Sequence, residues 1–488
     1  MKNLNKLSKT LLSSLVVVSL FFTACNDDFL DTTSKTSVDE KNAFSTPGKI
    51  LAQVNNLYSQ LQNSIFYGGR FIVFNEQRAD EFGQNDGNAA TGSAVWNQNV
   101  ASTNEYINNV WAAGYRAINS ANVLINQLQQ TKVISDSLAK LYVAEAKFVR
   151  ALSYLSLLQT YAKPYNLDKA ALGLPLRLSP ITSLGFNDLA RSSVEEIYTQ
   201  IIKDLNEAEA DLPVAYATPL LNTSRAHKSS AIALKTRVFL NQSDYQKVMQ
   251  ESAKLVPNAP PYKYTAGSLS HNLEASFVNI FTGSYTGAEA IFFIPFANSN
   301  TETPASQFSL AFNYLAQPII FLATLGIVSN PALSDAQDAR STLIGTNAAK
   351  QKVLRKFAIT TAPFRDYVPV MRYAEVMLNY AEAATRTNDL ALGAALLKAV
   401  RNRSNPNYVF PDEKINSADS LLNSIWTERR IEFLGEGLRL QDLQRNVLPL
   451  PAKTGSIGTA PAVPVTAKNY IWPIPSGELS TNALCLPN

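Results

Sequence analysis

Residues 426–445, WTERRIEFLGEGLRLQDLQR, limit the fold more than any other stretch of this chain. They read as an amphipathic helix, a glycine break and a second short helix. Ile425, Ile431, Leu434, Leu438 and Leu443 supply the apolar side. Glu428, Glu432 and Glu436 recur every fourth residue and so share one helical face. Arg439, Asp442 and Arg445 recur every third residue with alternating sign, which suits ion pairing along a second face. Gly435 and Gly437 bracket Glu436 and let the backbone turn there. Acids and arginines this dense beside apolar residues point to an interlocking structural network of Glu428, Arg430, Glu436, Arg439, Asp442 and Arg445. Acid–base catalysis needs two groups in different environments, and the spacing does not separate these carboxyls.

The first residues of the chain give its compartment. Lys2, Lys6 and Lys9 precede a mainly apolar run at 11–22, which ends in Ala24 and Cys25. The run is too short for a membrane span of roughly 20 apolar residues, and it reads as a secretory signal peptide over 1–24. Phe22-Thr23-Ala24-Cys25 is similar to a bacterial lipobox, with Phe22 where Leu is usual, so Cys25 is the expected lipidation site. The only other cysteine is Cys485, which leaves no partner for an intramolecular disulfide. Three lysines lie in the leader, so the formal charge falls from +4 to +1 in the mature chain. Attraction to an anionic membrane is weak at that charge, and the lipid has to anchor the protein. With no polybasic run and 17% charged residues, nucleic acid is not an expected partner. Residues 25–45 are polar and read as a flexible tether.

Helical periodicity follows at 50–61, 105–128, 138–161 and 192–212, where Ser193 and Glu196 form a capping box. Helix pairs follow at 228–240 with 245–256 and at 373–384 with 390–400. They suggest tetratricopeptide-like units without a fixed repeat length. Residues 63–104 lose the pattern among Gly, Asn and Thr and read as a long loop system. Residues 259–369 are rich in Pro, Gly, Ser, Thr and Asn, with one clear strand at 290–296. A second strand is expected at 470–475.

The stretch at 426–445 is similar to the C-terminal signature of the SusD/RagB family of lipoproteins, E-R-R-x-E followed by E-G-x-R-x-x-D-L-x-R. Glu428, Arg429, Arg430, Glu432, Glu436, Gly437, Arg439, Asp442, Leu443 and Arg445 carry that match. AEAKFVRALSYLSLLQTYA at 144–162, FRDYVPVMRYAEVMLNYAEA at 364–383, LLKAVRNRS at 396–404 and WPIPSGEL at 472–479 resemble the family as well. The resemblance implies a mainly α fold of irregular tetratricopeptide-like helix pairs, with a loop-rich lobe holding a few short strands. One domain would span 46–488, with the scaffold at about 46–258 and 370–446 and the lobe at about 259–369 and 447–488. The family is displayed on the outer face of the outer membrane, lipid-anchored. It implies a partner, a TonB-dependent SusC-like transporter, over which such a protein acts as a lid. The ligand is most often a glycan or oligosaccharide, and in some members a peptide.

No sequence of the Walker, G-x-G-x-x-G, H-E-x-x-H, C-x-x-C or G-x-S-x-G type is present, so no catalytic residue, metal or cofactor is expected. His227 and His271 lack zinc spacing, and His227 reads as a surface or cap residue. Asp80–Glu81 and Asp335/Asp338 read as solvated acid pairs. A secreted hydrolase with an unsignatured carboxylate pair, and a scaffold that binds only proteins, are the other classes this pattern admits. Trp111, Trp426 and Trp472 fall in apolar patterns and are assigned to the core. Trp96 stands among amides, followed by Asn97, Gln98 and Asn99. An aromatic face beside amides suits a sugar, with C–H groups stacked on the ring and hydroxyls bonded by the amides. Trp96, Asn97 and Asn99 are therefore the leading ligand-binding candidates, with Tyr285, Phe312 and Tyr314 behind them.

Overall fold

The computed structural model describes residues 40–488 apart from 184, 186, 298–303 and 305. The leader, Cys25 and the tether up to residue 39 lie outside the described residues. The chain divides into two units, 1–51 and 52–488. The described part of the first holds a short helix, Glu40–Ala43, and the opening turn of the helix Pro47–Leu61.

The second unit is mainly α, and its longer helices follow the chain. They are α1 (Pro47–Leu61, most of its length), α2 (Arg70–Arg78), α3 (Glu105–Leu128), α4 (Asp136–Tyr161), α5 (Val194–Asp211), α6 (Lys228–Asn241), α7 (Tyr245–Ser252), α8 (Tyr373–Arg386), α9 (Leu390–Ser404), α10 (Ala418–Glu432) and α11 (Arg439–Arg445). From α3 to α10 each helix packs on the next, and α7 meets α8 although residues 253–372 intervene. This is the irregular stacking of tetratricopeptide-like pairs, with insertions between units.

Local chemistry sets the helix ends. Ser193 Oγ accepts the Glu196 N–H at 3.2 Å, and Glu196 accepts the Ser193 N–H at 2.7 Å, so the capping box opens α5 as expected. Asn388 adopts φ +68°, and Asp389 caps α9 through the Leu392 N–H at 3.1 Å. α4 is buried on all sides from Phe148 to Leu158 because α3 and α5 flank it. Arg150 fastens the three helices together. It forms a bidentate pair with Asp204 at 2.7 and 2.8 Å and donates to Asn122 Oδ1 at 2.8 Å.

The strands are short antiparallel pairs. β1 (Phe82–Gln84), β2 (Ala290–Ile294), β3 (Ile320–Leu322), β4 (Ile344–Thr346), β5 (Lys352–Leu354), β6 (Val368–Arg372), β7 (Lys453–Gly455) and β8 (Gly458–Ala460) bear on the argument. β1 pairs with β3, placing Gly83 opposite Phe321, and β2 pairs with β6. β4 and β5 form one hairpin, β7 and β8 another. Residues 259–369 thus carry several strands where periodicity showed one. Each is three to five residues long, too short for an alternation to stand out.

Three further expectations change. Residues 63–104 contain α2, every residue of which is buried. Arg70, Asn75, Glu76, Gln77 and Arg78 are polar, so the helix has no apolar stripe to read. Residues 470–475 form no strand: a 3₁₀ turn, Lys468–Tyr470, leads into chain outside any strand pair, where the Trp472 N–H donates to the Thr160 carbonyl at 2.9 Å and its ring is buried. Trp426 is half-buried, with the Arg386 guanidinium 5.5 Å from its ring centre.

The charged stretch forms three connected ion-pair groups. In the first, Arg372 meets Glu289 at 2.5 Å, Glu432 at 3.0 Å and Glu436 at 2.8 Å. Arg340 meets Glu428 at 2.5 Å, Glu432 at 2.9 Å and Asp338 at 2.7 Å. Arg401 reaches Glu428, Arg403 bridges Glu289 and Glu432, and Lys356 meets Glu436 at 2.7 Å. In the second, Asp442 lies between Arg429 and Arg445, both at 2.9 Å, and Arg445 also grips Glu382 at 2.6 Å. In the third, Arg439 meets Asp80 at 2.7 Å and Arg430 meets Glu81 at 2.6 Å. Arg439 therefore pairs across the fold rather than with Asp442. Asp80, Glu81 and Asp338 are network members, not solvated acids, and Asp335 accepts from Asn405 at 2.7 Å.

Gly435 and Gly437 have φ +80° and +78°, a backbone region that favours glycine, and they swing Glu436 back toward Arg372. The Gly437 N–H donates to Glu76 of α2 at 2.7 Å. Burial pushes the Glu76 carboxyl up to about 8 even against that bond.

Arg372→Ala would leave Glu289, Glu432 and Glu436 with one cation fewer in a dry interior, and should lower stability by about 3–5 kcal/mol in urea unfolding. An unchanged unfolding midpoint would show that the network adds nothing to the folded state. Asp442 gives a pH signature. Burial alone would raise its carboxyl, but Arg429 and Arg445 outweigh it and hold it at about 2. Its folded value is depressed, so its contribution is complete above the unfolded value of about 3.9 and is lost as pH falls toward 2. The stability gap between the native protein and Asp442→Asn should close over that window.

Candidate functional site

Three turns and a loop meet at the C-terminal end of β1. The Asn85 N–H donates to the Ile319 carbonyl at 2.9 Å, which brings in the approach to β3. The Ser456 N–H donates to the Gln84 carbonyl at 2.8 Å, which brings in the β7–β8 turn. The β4–β5 turn adds Asn347 and Gln351. Between them lies a cleft of about 750 Å³.

One wall is a ring of amides and a hydroxyl. Gln351 Nε2 donates to Asn85 Oδ1 at 2.5 Å and to Ser456 Oγ at 3.1 Å. Asn347 Nδ2 donates to Gln351 Oε1 at 2.8 Å, and Ser456 Oγ donates to Asn85 Oδ1 at 2.8 Å. A second wall is the loop from Asp86 to Thr91. Asp86 Oδ1 accepts the Asn88 N–H at 2.8 Å, and the Asp86 carbonyl accepts from Gln84 Nε2 at 2.9 Å and Thr91 Oγ1 at 3.0 Å. The third wall is a wide helical turn, Phe312–Ala316. It leaves the Phe312 ring half-buried on the cleft, with the Phe364 ring centre 6.2 Å behind it.

Arg70 of α2 ties two walls from beneath. It is wholly buried and donates to the Ala90 carbonyl at 2.8 Å and the Gln307 carbonyl at 2.9 Å, both cleft residues. It also donates to Asn313 Oδ1 at 3.1 Å, and Tyr106 donates to the Ala90 carbonyl at 2.7 Å.

Of the aromatic candidates, Phe312 lies in this cleft. Trp96 does not, and its assignment is corrected. It is fully buried, its Nε1–H donates to the Phe82 carbonyl at 2.9 Å, and β7 covers its ring. Lys453 sits 5.5 Å from the ring centre, and its ammonium donates to the Gln77 and Ala79 carbonyls. A ring so enclosed has no face for a ligand. Tyr314 is corrected for the same reason: it is fully buried, its hydroxyl donates to the Gly435 carbonyl at 3.2 Å, and its ring stacks on Phe82. Asn97 and Asn99 are exposed but line none of the cleft. Tyr285 belongs to a separate pocket, where it stacks on Tyr367 at 4.6 Å and donates to Asp366 at 2.9 Å. Asn85, Asn347, Gln351 and Ser456 had no sequence signal that joins them, because their positions converge only through strand pairing.

Among the described residues no group of three or more His, Cys, Asp or Glu could hold a metal ion. His227 and His271 are both buried, with ring centres 5.7 Å apart. Burial pushes them down to about 3 and about 4, so both stay neutral at ordinary pH. His227 is thus a buried residue at the start of α6 and not a surface one.

A SusD superfamily protein from Bacteroides fragilis has a crystal structure that matches at 30% identity and a TM-score of 0.81, over 91% of this chain and 99% of that one. This chain belongs to the SusD superfamily. A family described as starch-binding and associating with the outer membrane matches residues 28–240, and the SusD family matches 359–485. A SusD-like protein of Formosa agariphila, P25, is 22% identical over 295 residues, and the match spans 51% of its length. A laminarin-binding SusD-like protein has the same fold at 21% identity and a TM-score of 0.71, over 91% of this chain and 99% of that one. No described helix of this SusD-superfamily chain is long and apolar enough to cross a membrane.

Trp96→Ala removes a packed ring rather than a binding face. It should cost about 3–5 kcal/mol of stability, read as an earlier urea midpoint. A variant that melts like the native protein yet loses ligand would return Trp96 to the binding site.

Proposed function

We propose that this chain captures a glycan or oligosaccharide in the cleft at the end of β1 and passes it to a TonB-dependent, SusC-like transporter. The observation that carries this reading is the pairing of one half-buried ring, Phe312, with the Asn85–Gln351–Asn347–Ser456 ring in a single cleft. A sugar has two kinds of surface, C–H faces and hydroxyl edges, and the cleft offers a partner to each. Amide side chains both donate and accept, so they suit hydroxyls in either role. The starch-related family description and the laminarin-binding relative support a glycan as the ligand class.

Reversible capture is the chemistry that fits. Asp86 is the one carboxylate among the described residues lining the cleft. Glycoside hydrolysis uses a pair of carboxyl groups, one on each side of the bond, and the described lining has no second. In this reading Cys25 carries the lipid and holds the protein on the outer face of the outer membrane, with residues 25–45 as the tether.

Phe312→Ala should weaken glycan binding by roughly five- to 150-fold, from about 1–3 kcal/mol of lost stacking contact, with the melting curve nearly unchanged. Calorimetry on the glycan that the native protein binds checks this. Unchanged affinity would take the cleft out of the reading, and binding of peptides but no glycan would overturn the ligand class. Cys25→Ala should release the protein from the outer-membrane fraction. A variant that still fractionates there would show that the anchor lies elsewhere.

A further inference from the structure

The chemistry of the cleft says more than that it holds a sugar. We infer that it selects uncharged glycans and turns away those carrying uronate or sulfate groups, an inference that rests on the cleft being the glycan site. Among the described lining residues, Asp86 is the single charged side chain, and its carboxylate is exposed. No lysine or arginine is among them. Every other polar side chain there is an amide or a hydroxyl.

An anionic sugar entering such a cleft loses water around its charge and gains no cation in return. Burying an unpaired charge is far costlier than burying a hydroxyl that finds an amide. Proteins that bind carboxylates or sulfates supply a guanidinium or ammonium to the ligand, often in a bidentate pair. The cations beside the cleft, Arg70 beneath it and Lys350 and Lys352 next to Ala349 and Gln351 in sequence, do not line it. Arg70 is fully buried, and its terminal nitrogens donate to the Ala90 and Gln307 carbonyls and to Asn313, so they face the protein's own backbone and amide. Lys350 follows the cleft residue Ala349, but it is exposed and does not line the cleft. Asp86 adds direct repulsion of an anion and, for a neutral sugar, a strong acceptor for hydroxyl groups.

The test titrates the full chain, solubilised in mild detergent, with matched polymers. Laminarin, starch, xylan and galactomannan are each compared with their carboxymethyl and hydroxyethyl derivatives, alongside alginate and polygalacturonate. The hydroxyethyl group has similar bulk and no charge. At least one neutral polymer should bind. Its carboxymethyl form should bind at least tenfold more weakly, while its hydroxyethyl form stays within about threefold. Asp86→Asn keeps the oxygen that accepts the Asn88 N–H, and it should recover part of the loss on the carboxymethyl form. Lys350→Ala should change neither affinity by more than about twofold. Binding of alginate, polygalacturonate or a carboxymethyl polymer as tightly as any neutral one would overturn the inference and leave the glycan site standing. Equal weakening by hydroxyethyl and carboxymethyl groups would show that bulk, not charge, is read. If the folded chain binds no polymer of either kind, the glycan reading falls with it.

Discussion

Arg372, Glu289, Glu432 and Glu436 lie almost wholly out of water, and three carboxylates around one guanidinium are stable there only because Arg403, Arg340 and Lys356 share their charge. Such a group is expensive to assemble, and a well-packed apolar core of the same volume could be as stable. What it adds is selectivity. Its members come from residues 289, 338–340, 356, 372, 401–403 and 428–436, so each ion pair forms only when distant segments are in register. A wrong packing of the helix pairs would leave a buried charge unpaired, which costs more than a misplaced leucine. The irregular stacking from α7 to α8 across residues 253–372 needs such a device, because no repeated sequence aligns those helices.

The network is joined to the cleft through the glycine turn between α10 and α11. Glu436 at that turn reaches Arg372, the Gly437 N–H reaches Glu76 of α2, and the Gly435 carbonyl receives the Tyr314 hydroxyl. α2 in turn carries Arg70, which holds the Ala90 and Gln307 carbonyls of the cleft. Tyr314 sits two residues from Phe312 on the same wide turn. The loop-built cleft thereby acquires the rigidity of the helices beneath it, which would lower the ordering cost of holding a ligand in the proposed site.

The long helices were readable because each shows an apolar stripe, a cap or a polar turn, as Ser193 with Glu196 opens α5 and Asn388 with Asp389 separates α8 from α9. α2 was not readable. Beside Phe71 to Phe74 it buries Arg70, Glu76, Gln77 and Arg78 as well, whose burial depends on partners far along the chain. The charged stretch announced a network, yet nothing in the sequence joined Arg340, Arg372, Arg401 and Arg403 to it, since their partners are fixed by tertiary packing. Trp96 was misread for a related reason. Its surroundings are polar in sequence, and the β7–β8 hairpin that covers it comes from the other end of the chain. Phe312 could be nominated as a loop aromatic, but the amides at 85, 347 and 351 that complete its site meet only through β1–β3 and β4–β5 pairing.

A crystal structure of the protein with an oligosaccharide of a polymer it binds tests the cleft assignment most sharply. One sugar ring should lie against the face of Phe312, with its hydroxyls within hydrogen-bond distance of Asn85, Asn347 or Gln351, and the Arg70 bonds to Ala90 and Gln307 should stay intact. A sugar bound instead over Tyr285 and Tyr367, or along α3 beside Trp111 and Tyr115, with the cleft at β1 empty, would contradict that assignment.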